Sequence, residues 1–309
     1  METISVIVPC YNEEESIPHF YEETRKELLK IEHTNYEFIF VNDGSSDQTI
    51  HEIKLLTLQD PCCHYLSFSR NFGKESAMFA GLQRASGDYC VIMDADLQHP
   101  PTLLKDMYHV LKYENYDCAA GKRMDRTGEG GMRNFLSKQF YKVISALTKM
   151  DMSDGSGDFR MMRRVVVDAI LEMKEYNRYM KGIFSFVGFD TKWLEFHNVE
   201  RVAGQTKWSL KSLFAYAFEG ILSFSTKPLL LAGIVGMLLF ALSTILGLSI
   251  VVRLCLQESI SASFYLLTAL VFLSSLQMIF VSILGQYISK DYLENKKRPI
   301  YIIKESDNA

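Results

Sequence analysis

From residue 229 to 252 the chain runs 24 residues without a charge, and from 264 to 288 a further 25. A helix crosses a hydrocarbon core of ~30 Å with about 20 such residues, so each stretch predicts one transmembrane span. The rival, a pair of buried helices in a large soluble core, is a poor match to runs this long and this free of charge. Arg253 and Glu258 are the only charges between the runs, whereas Lys207, Lys211 and Lys227 precede them and Lys290, Lys296, Lys297, Arg298 and Lys304 follow. The positive-inside rule then places both ends of the chain and everything before the spans on the cytoplasmic side of the cell membrane. Residues 132–150 and 209–226 place apolar side chains at helical spacing, with the lysines and arginines largely off that stripe. They read as amphipathic helices, lying at the membrane interface or packed on the domain core.

These assignments divide the chain into a catalytic-sized region, 1–208, an interface helix, 209–226, and a two-span region with a short tail, 227–309. The net charge of −4 gives no global basic field, so nucleic acid is not an expected partner. Apolar residues make up 48% of the chain, which excludes disorder. The six cysteines form no C-x-x-C pair and sit largely in apolar runs, as free thiols of a reducing compartment do. The first residues carry no basic n-region, so no signal peptide is expected.

Before the spans, strand and helix patterns alternate. Residues 5–9, 38–41, 65–68 and 89–93 read as strands, and 13–30 and 75–84 as helices. This order predicts an α/β fold with a mostly parallel, Rossmann-like sheet, whose ligands bind beyond the carboxyl ends of the strands. Polar residues stand at those ends: Pro9-Cys10-Tyr11-Asn12-Glu13, Asn42-Asp43-Gly44, and Asp94-Ala95-Asp96-Leu97-Gln98. Three carboxylate-bearing strand ends at one rim repel one another unless a cation or hydrogen-bond donors neutralise them. Asp94, Asp96 and Gln98 offer oxygen ligands at alternate positions, suited to Mg²⁺ or Mn²⁺ with open positions for phosphate. Asp43 is either a turn and helix cap or an acceptor for a nucleobase N–H. Tyr11 offers a stacking face, and Glu13 either a ribose contact or first-turn helix charge.

Four motifs in order, Ser5-Val6-Ile7-Val8-Pro9-Cys10-Tyr11-Asn12-Glu13-Glu14, Val41-Asn42-Asp43-Gly44-Ser45-Ser46-Asp47, Ser69-Arg70-Asn71-Phe72-Gly73-Lys74 and Met93-Asp94-Ala95-Asp96-Leu97-Gln98-His99-Pro100, resemble the family 2 glycosyltransferases. Within that family the chain is most similar to polyprenyl-phosphate glycosyltransferases, and the two spans resemble the bactoprenol glucosyltransferase branch. The resemblance implies a GT-A fold and inverting transfer of one sugar from a nucleotide sugar to polyprenyl phosphate. The branch implies glucose from UDP-glucose. GDP-mannose, UDP-N-acetylglucosamine, UDP-galactose and an aminoarabinose derivative stay open as donors. A membrane-anchored nucleotide-sugar sensor without turnover, and a processive polysaccharide synthase, are the remaining alternatives. The synthase normally carries a Q-x-x-R-W signature, which Gln205-Thr206-Lys207-Trp208 does not match.

By the same resemblance, Pro9, Tyr11, Glu13 and Asp43 correspond to nucleoside-binding positions, and Asp94, Asp96 and Gln98 to the metal and diphosphate site. Asp158, in Ser156-Gly157-Asp158-Phe159-Arg160, corresponds to the catalytic carboxylate, and Arg201 to a phosphate-binding arginine with Lys207 beside it. Gln205-Thr206-Lys207 stands where many relatives carry a serine before the lysine. Acceptor phosphate is already mostly anionic at neutral pH, by analogy with phosphorylated side chains of second pKa ~6, so Asp158 has more to do in positioning the acceptor or stabilising charge than in proton removal. Arg123, Arg126 and Arg133 precede or open the 132–150 helix, where a lipid phosphate needs cations; solvated surface charge is the alternative. The family also implies a homo-oligomer, a tetramer, with the Ser274, Ser275, Gln277, Ser282, Gly285 and Gln286 side of the second span suited to helix packing.

Overall fold

The computed structural model describes residues 1–124, 156–176, 178–196 and 294–307, with individual positions between 270 and 292. The 132–150 and 209–226 helices, the first span and most of the second lie outside the described residues. Among the described residues no helix is long and apolar enough to cross a membrane. The chain divides into two units, 1–215 with 298–309, and 216–297. All the described strands belong to the first unit.

Its elements run β1 (Glu2–Cys10), α1 (Ser16–Leu28), β2 (Thr34–Asn42), α2 (Thr49–Gln59), β3 (Cys63–Phe68), α3 (Lys74–Arg84), β4 (Tyr89–Ile92), α4 (Leu103–Tyr113), β5 (Cys118–Arg123), β6 (Ser156–Arg163), α5 (Arg164–Glu172), α6 (Met180–Phe186), β7 (Thr191–Phe196) and β8 (Ile303–Ser306). They build one eight-stranded sheet in the order β7-β5-β6-β4-β1-β2-β3-β8. The expected α/β, mostly parallel sheet is present: β4, β1, β2 and β3 are parallel neighbours, and β5 and β7 pair in parallel. Central strands buried on both faces read as unbroken apolar runs rather than alternating ones. Ile4, Val6, Ile7 and Val8 of β1 and Phe38 to Val41 of β2 are fully buried, which is why these runs are legible as strands.

Helix α1 buries Ile17, Phe20, Thr24 and Leu28, one stripe at helical spacing. Helix α3 is buried from Ser76 to Leu82, and Gly81 permits it, because a Cβ there would collide with Ile7 of β1. The five described cysteines are free, four of them buried, as the sequence predicts.

Two features depart from the expected order of elements. Strand β6 enters antiparallel between β4 and β5. Its register sets Ile92 opposite Arg160. Two residues onward from Ile92 and two back from Arg160 stand Asp94 and Asp158, so antiparallel pairing carries these carboxylates to the same end of the sheet. Strand β8, from the expected tail, returns to pair antiparallel with β3 at the sheet edge.

Candidate active site

The carboxyl ends of β2, β1 and β4, with the start of β6, form one rim. Its loops are braced against each other. The amide of Asn12 donates to Ser45 Oγ at 3.0 Å, while Asn12 Oδ1 accepts from the Ser46 amide at 2.9 Å. Glu13 N donates to Thr49 Oγ1 at 2.8 Å, and Glu14 Oε2 accepts from Gln48 N at 2.7 Å. Asn12, Gly44, Gly73 and Leu97 all hold positive φ, at 55°, 64°, 98° and 57°. For Asn12 and Leu97 that conformation costs of order 1–3 kcal/mol, and such strain gathers where a site requires it.

Asp43 is 3% exposed, with both oxygens engaged: Phe72 N donates to Oδ1 at 2.6 Å and Gly73 N to Oδ2 at 2.9 Å. Burial raises its pKa, and the two amides and Arg70 pull against that rise. Neither α2 nor α3 takes a side-chain cap from it; Asp43 instead ties down the loop that leads into α3. Each carboxylate oxygen has a second lone pair, so the base contact stays compatible with them. Gly44 completes the clamp, since a Cβ would lie 2.6 Å from Asn71 N.

Beside this clamp lies the charge centre of the rim. Lys74, the first residue of α3, places Nζ 2.7 and 2.9 Å from the two oxygens of Asp94 and 2.8 Å from Asp158 Oδ2. Burial alone would lower the Lys74 pKa, but Asp158 and Asp94 together drive it upward. Burial would likewise raise the pKa of Asp158, yet Lys74 and then Lys181 hold it well below the usual carboxylate range. Asp94 is lowered for the same reason, with Lys74 outweighing desolvation. Asp158 Oδ1 is buried without a hydrogen-bond partner among the described residues. Sequence alone does not single out Lys74, although the third motif ends on it. The available signal was the demand for a cation among three strand-end carboxylates.

His99 is a second residue that the sequence pattern leaves unmarked. It is 7% exposed, its ring stacked 4.9 Å from that of Phe159, and burial lowers its pKa. Its Nδ1 accepts from Asp94 N at 3.4 Å, so this buried ring supports the turn that carries the carboxylates. Arg160 is 5% exposed and lies 3.7 Å over the Phe184 ring, fixing β6 to α6.

The remaining candidate residues are spread along the sheet. Pro9 is the last residue but one of β1, opposite Val41, Tyr11 is 39% exposed at the rim, and Glu13 Oε2 accepts from Ser16 Oγ at 3.1 Å at the start of α1. Asp96 Oδ1 accepts from Gln98 N at 3.1 Å. Arg123 ends β5, half-buried, opposite Phe196. Arg126, Arg133, Arg201 and Lys207 lie outside the described residues.

Asp94, Asp96 and Gln98 are hard oxygen donors on a turn bent at Leu97, the donor set that Mg²⁺ or Mn²⁺ takes alongside phosphate and water. No group of three or more His, Cys, Asp or Glu side chains converges on a metal position among the described residues. A cation here would therefore draw its further ligands from a bound diphosphate and solvent. The buried Asp158 Oδ1, without a partner among the described residues, and the carboxylates of Asp94 and Asp96 fit such a cation.

A mostly parallel sheet with a braced polar rim, an Asp-x-Asp turn and an opposing buried aspartate is the arrangement expected of a GT-A glycosyltransferase. The chain belongs to the glycosyl transferase family 2, whose model matches residues 5–171. It is 40% identical over 303 residues to the prophage bactoprenol glucosyl transferase homolog of Escherichia coli (strain K12), covering 97% of this chain and 98% of that one. It is 39% identical over 303 residues to the bactoprenol glucosyl transferase of Shigella phage SfV, again covering 97% and 98%. A crystal structure of a mycobacterial protein shares the fold, with a TM-score of 0.52 and 19% identity over 72% of this chain and 73% of that one.

Proposed function

We propose that this enzyme transfers a single glucose from UDP-glucose to polyprenyl phosphate with inversion, releasing a β-linked lipid-phosphate sugar at the cytoplasmic face of the membrane. The observation that carries the reading is the juxtaposition of Asp94, Lys74 and Asp158 at the carboxyl rim. It is supported by near-full-length similarity to proteins named bactoprenol glucosyl transferases.

In this reading Tyr11, Glu13 and Asp43 receive the nucleoside at the ends of β1 and β2, and Asp94, Asp96 and Gln98 hold Mg²⁺ or Mn²⁺. The bound cation would neutralise charge on the departing diphosphate. Lys74 fixes Asp158 as a carboxylate, and since the acceptor phosphate scarcely needs a base at neutral pH, Asp158 serves to stabilise the positive charge that develops at the anomeric carbon. Arg201 and Lys207 add positive charge toward the leaving group, the electrostatic contribution that grows in the transition state. Arg123, Arg126 and Arg133 receive the lipid phosphate near the membrane surface. The runs 229–252 and 264–288 anchor the enzyme as two spans, both termini face the cytoplasm, and four copies assemble.

The test is transfer of radiolabelled sugar from a panel of nucleotide sugars to undecaprenyl phosphate in detergent, with and without Mg²⁺ or Mn²⁺. A chloroform-extractable product from UDP-glucose, dependent on the cation, is expected. Product from a different donor overturns the glucose assignment, and donor binding without any lipid product overturns the acceptor.

A further inference from the structure

Residues 301–307 carry contacts that a simple tail does not need. Strand β8 pairs with β3, and Ser69 N, where β3 gives way to the loop, donates to Ile302 O at 3.0 Å. Lys54 meets Glu305 at 2.8 Å, and Asp307 takes His64 at 2.6 Å, the Tyr65 amide at 3.3 Å and Arg84 at 3.8 Å. Tyr301 stacks on Phe68 with ring centroids 4.9 Å apart and planes 16° from parallel. Phe68 in turn meets Phe72 edge to face at 5.8 Å. The next links are those of the active-site rim: the Phe72 and Gly73 amides on Asp43, then Lys74 between Asp94 and Asp158. One covalently continuous loop, residues 69–74, thus has the C-terminal strand at its first residue and the charge centre at its last.

We propose that Tyr301 is a positioning residue for the reaction: stacked on Phe68, it fixes Phe72 and through it the loop that presents Lys74. The physical reason is lateral support. Phe72 has Phe68 on one side and the Arg70 guanidinium 4.1 Å over its ring, and Phe68 is itself 1% exposed beneath Tyr301. Without the Tyr301 ring, Phe68 gains room to turn, and Phe72 loses the edge that sets its amide toward Asp43. The Tyr301 hydroxyl only donates to Gln83 on the exposed side, at 2.8 Å, so the ring and not the hydroxyl does the positioning.

The kinetic part of the test rests on the proposed reaction; the exchange part does not. Hydrogen exchange of the peptide spanning residues 69–74 and transfer kinetics are measured on the full chain in detergent for Tyr301→Ala, Tyr301→Phe and Asp307→Asn. Tyr301→Ala is expected to speed exchange at Phe72 and Gly73 about tenfold and to lower kcat/KM for the donor about tenfold. Tyr301→Phe stays within twofold of the parent on both readouts. Asp307→Asn, which removes β8 contacts away from the loop, lowers the unfolding temperature but leaves exchange at residues 69–74 unchanged. Unchanged exchange in Tyr301→Ala overturns the proposal, as does equal loosening of the loop by Asp307→Asn. If the parent makes no lipid product, the reaction assignment fails, and the exchange data still decide the role of Tyr301.

Discussion

Asp94 and Asp158 lie 64 residues apart in sequence and share a single ammonium, that of Lys74, at 2.7 Å and 2.8 Å. Like charges held so close require a cation between them, because each carboxylate would otherwise raise the other's pKa. Lys74→Met is therefore expected to remove the charge that keeps Asp158 ionised. We predict a fall of at least 100-fold in kcat with intact secondary structure, read by initial rates and circular dichroism. Wild-type turnover in Lys74→Met would show that the bridge has no part in catalysis.

The two aspartates Asp96 and Asp158 separate by role. Asp96→Ala should abolish transfer and the response to added Mg²⁺ or Mn²⁺ together, since its carboxylate belongs to the donor turn. Asp158→Ala should depress turnover while donor affinity changes less than about threefold. Isothermal titration with donor, set beside initial rates, separates these outcomes. Equal loss of donor binding in both variants contradicts the assignment.

Gly44 is predicted to tolerate no side chain. Its φ of 64° is left-handed, and a Cβ would press on the main chain of Arg70 and Asn71. Gly44→Ala should cost about 1–3 kcal/mol of stability and should weaken donor binding by displacing the loop whose Phe72 and Gly73 amides donate to Asp43. Thermal unfolding and donor titration of the same preparation check both.

Asp60 supplies a pH dependence away from the active site. Burial favours its protonated form, but the Tyr21 hydroxyl at 2.6 Å and the Cys62 amide at 2.9 Å outweigh it, and the folded-state pKa lies below the ordinary one. The carboxylate thus stabilises the fold fully above its unfolded pKa of ~3.9, and that contribution disappears as pH falls through the lower folded value. Asp60→Asn should cost about 1–3 kcal/mol at pH 7, and the gap to wild type should narrow below pH ~4. Urea midpoints at pH 7, 5 and 3.5 test the sign: a gap that widens on acidification would contradict it.

The parallel half of the sheet is readable from sequence because doubly buried strands are apolar at every position, as in β1 and β2. Loop chemistry is readable because Asn12, Asp43 and Asp94 follow those strands directly. Strand β6 is not, since Ser156-Gly157-Asp158-Phe159-Arg160 has little strand pattern, and its place beside β4 is a long-range pairing. Strand β8 escapes notice for another reason: four residues with exposed or half-buried side chains at a sheet edge look like any polar tail. Lys74 is overlooked because a lysine opening a helix is ordinary until Asp158 arrives from a distant strand.

The antiparallel docking of β6 makes backbone pairing the ruler of the charge centre. The position of Asp158 against Asp94 is set by the ladder between β4 and β6, in which Ile92 faces Arg160. A slip of that ladder by one residue would turn every side chain of β6 to the opposite face of the sheet and take Asp158 away from Lys74. The hydrogen bonds of the ladder thus act as a gauge that admits one spacing of the two carboxylates.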